Sequence, residues 1–170
     1  MRVQGVVTGL VSNVDDPLKQ HRIKVRFPWL DDGFETDWIR IASFMAGAGR
    51  GAYFMPEPDD EVLVAFEHGH QNVPYVIGFL HNGRDPIPGV AVGERIIRSV
   101  NGHSIRFLDS TPENGDRGAL VIEDGHGNRI TLSNGKVTIK SVAVLQIDAP
   151  SIVLGGPGYR RVIAPNNNPI

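Results

Sequence analysis

The second half of this chain is filled by paired apolar residues at spacing two, and no other feature narrows its fold as much. The pairs are Ile105/Phe107, Leu120/Ile122, Ile130/Leu132, Val137/Ile139, Leu145/Ile147 and Ile152/Leu154. Successive side chains of a β-strand point to opposite faces, so spacing two puts both members of a pair on the same face. Turn signals separate many of the pairs: Asn101-Gly102, Asn114-Gly115, Asp124-Gly125, Gly127-Asn128 and Asn134-Gly135. Such dipeptides adopt positive φ easily and suit tight reversals. From Ile130 onward the pairs begin seven or eight residues apart. A repeat of one short strand and one tight turn predicts a β-solenoid or β-helix.

A ribbon of this kind has one apolar face and little else to bury. Alone it cannot remove enough surface from water to offset the entropy of ordering its backbone. Three copies wrapped about a common axis cover each other's faces. The pattern therefore predicts a symmetric homotrimer with the twelve paired residues as its core. The alternative from pattern alone is a monomeric sandwich of hairpins.

The first half reads as a compact set of short strands. Val3 to Val11 is apolar and β-branched and ends at Ser12-Asn13, with Asp15-Asp16-Pro17 extending the turn. His21 to Phe27 alternates: Ile23, Val25 and Phe27 face one way, Arg22, Lys24 and Arg26 the other. Trp38 to Phe44, Ala52 to Met55, Glu61 to Glu67 and Pro74 to Leu80 are further candidates, with Ala46 to Gly51 as a flexible loop. Several short strands in so few residues predict a small barrel, for which the OB-fold is the natural candidate. Asn82 to Arg95, with the run Gly83-Arg84-Asp85-Pro86-Ile87-Pro88-Gly89, reads as a linker. No apolar periodicity of three to four marks a helix.

The whole is an all-β chain: an N-terminal OB-fold barrel followed by a C-terminal β-helix, intertwined and triple-stranded in a homotrimer. Its expected parts are the barrel over 1–83, a linker over 84–95, the β-helix over 96–158 and a terminal segment over 159–170.

Composition excludes several function classes. The formal net charge is −2, whereas nucleic-acid binders carry a basic excess to neutralise phosphates. With no cysteine, there is neither a disulfide framework nor a thiolate metal site. Met1-Arg2 leads at once into alternating residues rather than a long apolar leader core, and no run is long enough for a membrane helix. The expectation is a chain made and kept soluble in the cytoplasm.

Several segments of the first half stand in a specific order. Ile23-Lys24-Val25-Arg26-Phe27-Pro28-Trp29 precedes Asp31-Asp32, then Trp38-Ile39-Arg40-Ile41-Ala42. Next come Ala46-Gly47-Ala48-Gly49-Arg50-Gly51-Ala52-Tyr53-Phe54-Met55-Pro56-Glu57, Asp60 to Gly69, and Pro74-Tyr75-Val76-Ile77-Gly78. In motif order and approximate spacing this set closely resembles the OB-fold of the VgrG and phage baseplate-assembly-protein-V spike family, over residues 1 to about 83. The second half resembles, by pattern, the triple-stranded β-helix that follows it in that family.

The resemblance implies a structural, non-enzymatic spike at the centre of a contractile injection baseplate. Three chains would form a needle with the barrels as a collar. A separate hub protein would hold the barrel end, since the chain begins directly at the barrel. A PAAR-type tip protein would sit at the C-terminal end, docked on Tyr159, Val162, Ile163 and Ile170. The needle would be assembled in the cytoplasm within a phage tail, tailocin or secretion-system baseplate. It would leave the cell on contraction and touch the target membrane only on puncture. Residues 84–95 are too few for the lysozyme domain that some relatives insert there.

Other chemistry is set aside on stated grounds. His68-Gly69-His70 has the spacing of a metal-binding strand pair but lies at a turn in the collar, where a solvated turn is the plainer account. His103 shares the parity of Ile105 and Phe107, so threefold symmetry could place it on the axis with an ion; His126 sits in a glycine-rich turn and is expected to be exposed. No cofactor is otherwise expected, and no metal site is assigned. Gly47-x-Gly49-x-Gly51 lacks the following helix that a phosphate loop needs. Asp31, Asp32, Glu35, Asp37, Asp59, Asp60 and Glu61 lie at turns, where Asp is expected for backbone reasons. There is no Gly-x-Ser-x-Gly elbow. The rival reading of another class is an OB-fold that binds oligonucleotide or carbohydrate, with Arg22, Lys24 and Arg26 as a basic stripe near Trp29 and Trp38.

Overall fold

The computed structural model describes residues 2–30, 33–89, 91–111 and 115–163. The chain divides into two compact units, Met1–Ile87 and Pro88–Ile170.

The first unit is a closed barrel of β1 (Val6–Asn13), β2 (Arg22–Arg26), β3 (Ile39–Ile41), β7 (Pro74–Leu80) and β6 (Glu61–Phe66), in that order around the wall. All its neighbours are antiparallel except β3 and β7, which run parallel. The alternation in β2 is realised: Ile23 and Val25 are fully buried while Arg26 is exposed. They pack with Val11, Phe27, Ile39, Val62, Val64 and Val76 into one core. Closure removes free strand edges and lets each inward residue meet others across the lumen. Gly9 allows β1 to cross close over β2: a Cβ there would stand 2.4 Å from Val25 Cγ1.

Some elements differ from the sequence-based expectation. Trp38 to Phe44 contracts to β3, and Ala52 to Met55 forms no strand. Residues 46–51 form a small hairpin, β4 (Ala46–Gly47) against β5 (Arg50–Gly51). The Ser43 hydroxyl fastens it, lying 3.1 Å from Met45 O and 3.0 Å from Ala52 O. No helix follows this glycine-rich stretch, and His68 and Gly69 lie in a single helical turn, Glu67–Gly69.

The second unit begins with a five-stranded antiparallel meander: β8 (Glu94–Arg98), β9 (Ser104–Leu108), β10 (Ala119–Glu123), β11 (Arg129–Ser133) and β12 (Lys136–Lys140). β8 starts inside the segment read as linker. Asn134 and Gly135, at φ 48° and 75°, form the two-residue reversal between β11 and β12 that their residue types favour. Residues 141–151 form no strand within the chain, and β13 (Ile152–Gly156) pairs only with β14 (Tyr159–Ile163). The threaded β-helix expected over 96–158 is not what the single chain displays: its strands 94–140 pair with each other in sequence order.

Candidate functional site

The register of the meander sorts its side chains into two unlike faces. Ile97, Ile105, Ile122, Ile130 and Ile139 are consecutive cross-strand partners and form one row of isoleucines. Beside it runs Arg95, Phe107, Leu120, Leu132 and Val137. These rows make a stripe perpendicular to the strands, about 19 Å long at the usual strand spacing. Eight of its nine apolar side chains are at least 38% exposed, up to 64% at Val137. Among the described residues of this unit, Val121 is the one buried hydrophobic side chain, and it points the other way from Leu120 and Ile122.

The opposite face is polar and charge-paired. Arg106 lies 2.8 Å from Glu123 and 3.7 Å from Glu94, and Arg129 lies 2.7 Å from Glu123. Arg129 first, with Arg106 behind it, holds the Glu123 carboxyl below its ordinary value. Lys136 and Lys140 stand at the two ends of the edge strand β12, all five of whose residues are exposed. Lysine at an edge discourages further in-plane pairing. The sheet thus resists growth at that edge, and of its two faces the apolar stripe is the more exposed.

The twelve residues expected to form a shared core fall into three groups. Ile105, Phe107, Leu120, Ile122, Ile130, Leu132, Val137 and Ile139 lie together in the stripe. Leu145 and Ile147 lie in the unpaired segment, 55% and 62% exposed. Ile152 and Leu154 lie on β13. Sequence reading missed Ile97 and Arg95, because Ile96 beside Ile97 masks the alternation and Arg95 occupies the second apolar place. Of the expected tip residues, Tyr159, Val162 and Ile163 belong to β14, and Ile170 lies outside the described residues.

The histidines take local roles. His103 Nδ1 accepts a hydrogen bond from the Gly125 N–H at 3.2 Å, tying the β8–β9 turn to the β10–β11 turn. His126 is exposed beside Asp124. Asp124 closes its own turn by accepting from the N–H groups of His126 and Asn128 and from Asn128 Nδ2. No group of three or more His, Cys, Asp or Glu side chains able to hold a metal occurs among the described residues. Nor, among them, is any helix long and apolar enough to cross a membrane.

Comparison with known proteins bears on the barrel. Residues 7–81 match the family model of the type VI secretion system and phage-baseplate injector OB domain. The chain is 37% identical over 87 residues to the type VI secretion system spike protein VgrG4b of Pseudomonas aeruginosa, covering 49% of this chain and 11% of that protein. It is 32% identical over 83 residues to the spike protein VgrG2a of the same organism, covering 46% of this chain and 10% of that protein. The matched segment is thus about a tenth of each relative's length. The closed order of the barrel, the match over nearly all of it, and the agreement of the relatives identify the barrel as an injector OB domain like that of the VgrG spike and phage-baseplate proteins.

Proposed function

We propose that the chain is the spike of a contractile, phage-tail-like injection machine, in which three copies form a needle driven through a target envelope. The observation that carries this reading is the uncovered stripe. Domains are built from packed layers, and the second unit of a single chain supplies only one. Fully burying an exposed Ile, Leu, Val or Phe gains about 1.5–3 kcal/mol. Eight half-exposed side chains therefore offer roughly 8 kcal/mol per copy, comparable with the estimated cost of about 4–15 kcal/mol for bringing chains together. The stripe is enough to start association and needs help to make it permanent.

That help comes from residues 141–158. Val142, Val144, Leu145 and Ile147 are 55–79% exposed, and the backbone of 141–151 has no strand partner in its own chain. Backbone groups buried in a needle must be hydrogen-bonded. Strands donated by the other two copies would satisfy them and interlock the chains. In this reading the intertwined β-helix is confined to the region beyond Lys140, and the meander above it packs as three preformed sheets.

The module makes and breaks no bonds and needs no cofactor. The barrels form the collar on a separate hub protein, and the end containing β14 carries a PAAR-type tip protein. The needle is assembled in the cytoplasm and passes outward on contraction. The near-neutral charge and the charge-paired outer face argue against nucleic acid as its partner. Replacing Ile122 or Ile130 by Asp tests the reading. Each substitution would set three carboxylates around one axis, and size-exclusion chromatography should show monomer. A trimer that tolerates both would contradict it.

A further inference from the structure

We propose that the barrel carries a binding site, a cleft beside β3 that takes a segment of neutral oligosaccharide. The cleft has a volume of about 390 Å3, within the range of small-ligand sites. One wall is the segment from Phe34 into β3, and the other is the stretch from Gln71 into the start of β7. In a barrel of this strand order these are the connection before the third strand and the loop between the last two wall strands. Barrels of this fold receive extended polymers on the adjoining face.

The lining chemistry selects among polymers. Single-stranded nucleic acid needs a positive groove and open aromatic faces on which bases stack. Here Lys24 lies 5.5 Å over the Trp38 ring, and the Arg40 guanidinium lies 4.9 Å over Tyr75. Lys24 also pairs with Glu35 at 3.4 Å. Arg40 and Asp37 then balance each other in the wall, and a polyanion finds no positive excess among the described residues.

What the cleft offers instead is fixed, neutral-to-polar contact. Phe34 is 42% exposed, and its ring stacks on the core residue Phe27 with centroids 6.0 Å apart. A ring held in this way and still partly exposed offers a surface for the C–H groups of a sugar ring. The Tyr75 hydroxyl donates to Glu67 at 2.5 Å and accepts from Arg40 at 3.0 Å, so that wall is set before any ligand arrives. Asp37, Gln71 and Asn72 supply the carboxylate and amides that pair with vicinal hydroxyls. The site belongs to the barrel alone and stands independently of the spike reading.

The test uses the full chain with three probes: triacetylchitotriose, maltotriose and an oligothymidylate. Saturation-transfer NMR detects binding, and backbone amide shifts locate it. At least one trisaccharide should bind, with shifts confined to residues 34–40 and 71–75. Asp37→Ala with Asn72→Ala should weaken that binding about tenfold, the loss of roughly one good hydrogen bond, with an unchanged thermal melt. Phe44→Ser, on the exposed hairpin segment, should leave it intact. If the double variant melts early, Gln71→Ala replaces it and should weaken binding in the same sense. The proposal is overturned if neither trisaccharide binds, if the shifts map elsewhere, if the cleft variants bind like the parent, or if the oligothymidylate takes the cleft.

Discussion

Asp16 shows how one side chain organises the entrance to β2. Its carboxylate accepts from the Leu18 and Gln20 N–H groups at 3.0 and 2.8 Å, and from two nitrogens of Arg22 at 3.0 and 2.6 Å. The side chain is 3% exposed. These contacts hold a turn in which Lys19 and His21 both take positive φ, a conformation costly for residues other than glycine. The Arg22 guanidinium holds the Asp16 carboxyl well below the usual carboxylate range. A depressed folded-state pKa stabilises the fold above the unfolded value, and that contribution fades as pH falls through the folded one. Asp16→Asn should therefore lower the melting midpoint by several degrees at pH 7, and the gap to the parent should narrow as pH drops below about 4. Thermal melts across that range check it; a constant gap would place the role of Asp16 in shape rather than charge. The sequence marks Asp15-Asp16-Pro17 as a turn. Which of the two aspartates turns inward is not legible there, because it depends on Arg22 arriving from the next strand.

At the scale of elements, alternation reveals faces but not partners. The period of two in β2 and in the apolar pairs from Ile105/Phe107 to Val137/Ile139 assigns which side chains share a side, because a strand's side-chain directions are a local property. It leaves open whether the neighbouring strand comes from the same chain or another. Between β11 and β12 the two-residue reversal Asn134-Gly135 is short enough to settle the pairing within one chain. β3 was also overextended in the reading from sequence: Ala42 follows it, with its N–H donating to Val76 O at 2.7 Å, and the chain then leaves the wall. Gly118 was visible as a residue but not as a constraint. At φ +79°, its position would set a Cβ 1.7 Å from Leu108 O. The division at Lys140 carries a prediction of its own. A chain ending there keeps the self-paired sheet and the stripe but loses the segment that would interlock copies. Its trimer should fall apart in unheated denaturing detergent while the full chain's survives; equal resistance in both would place the interlock above Lys140.

For the whole molecule, the two units draw stability from different sources. The barrel has a closed wall and a core of eight buried side chains, and its identity was legible in ordered motifs. The second unit has well-formed ladders but almost no interior of its own. The repeated pairs point to a partner layer, since a sheet whose paired apolar residues share one exposed face describes half of an interface. The most direct measurement is the mass of the purified full chain by light scattering at neutral pH over a dilution series. The account predicts three copies, unchanged on dilution. A stable monomer would show that the stripe is tolerated in water and would contradict the needle.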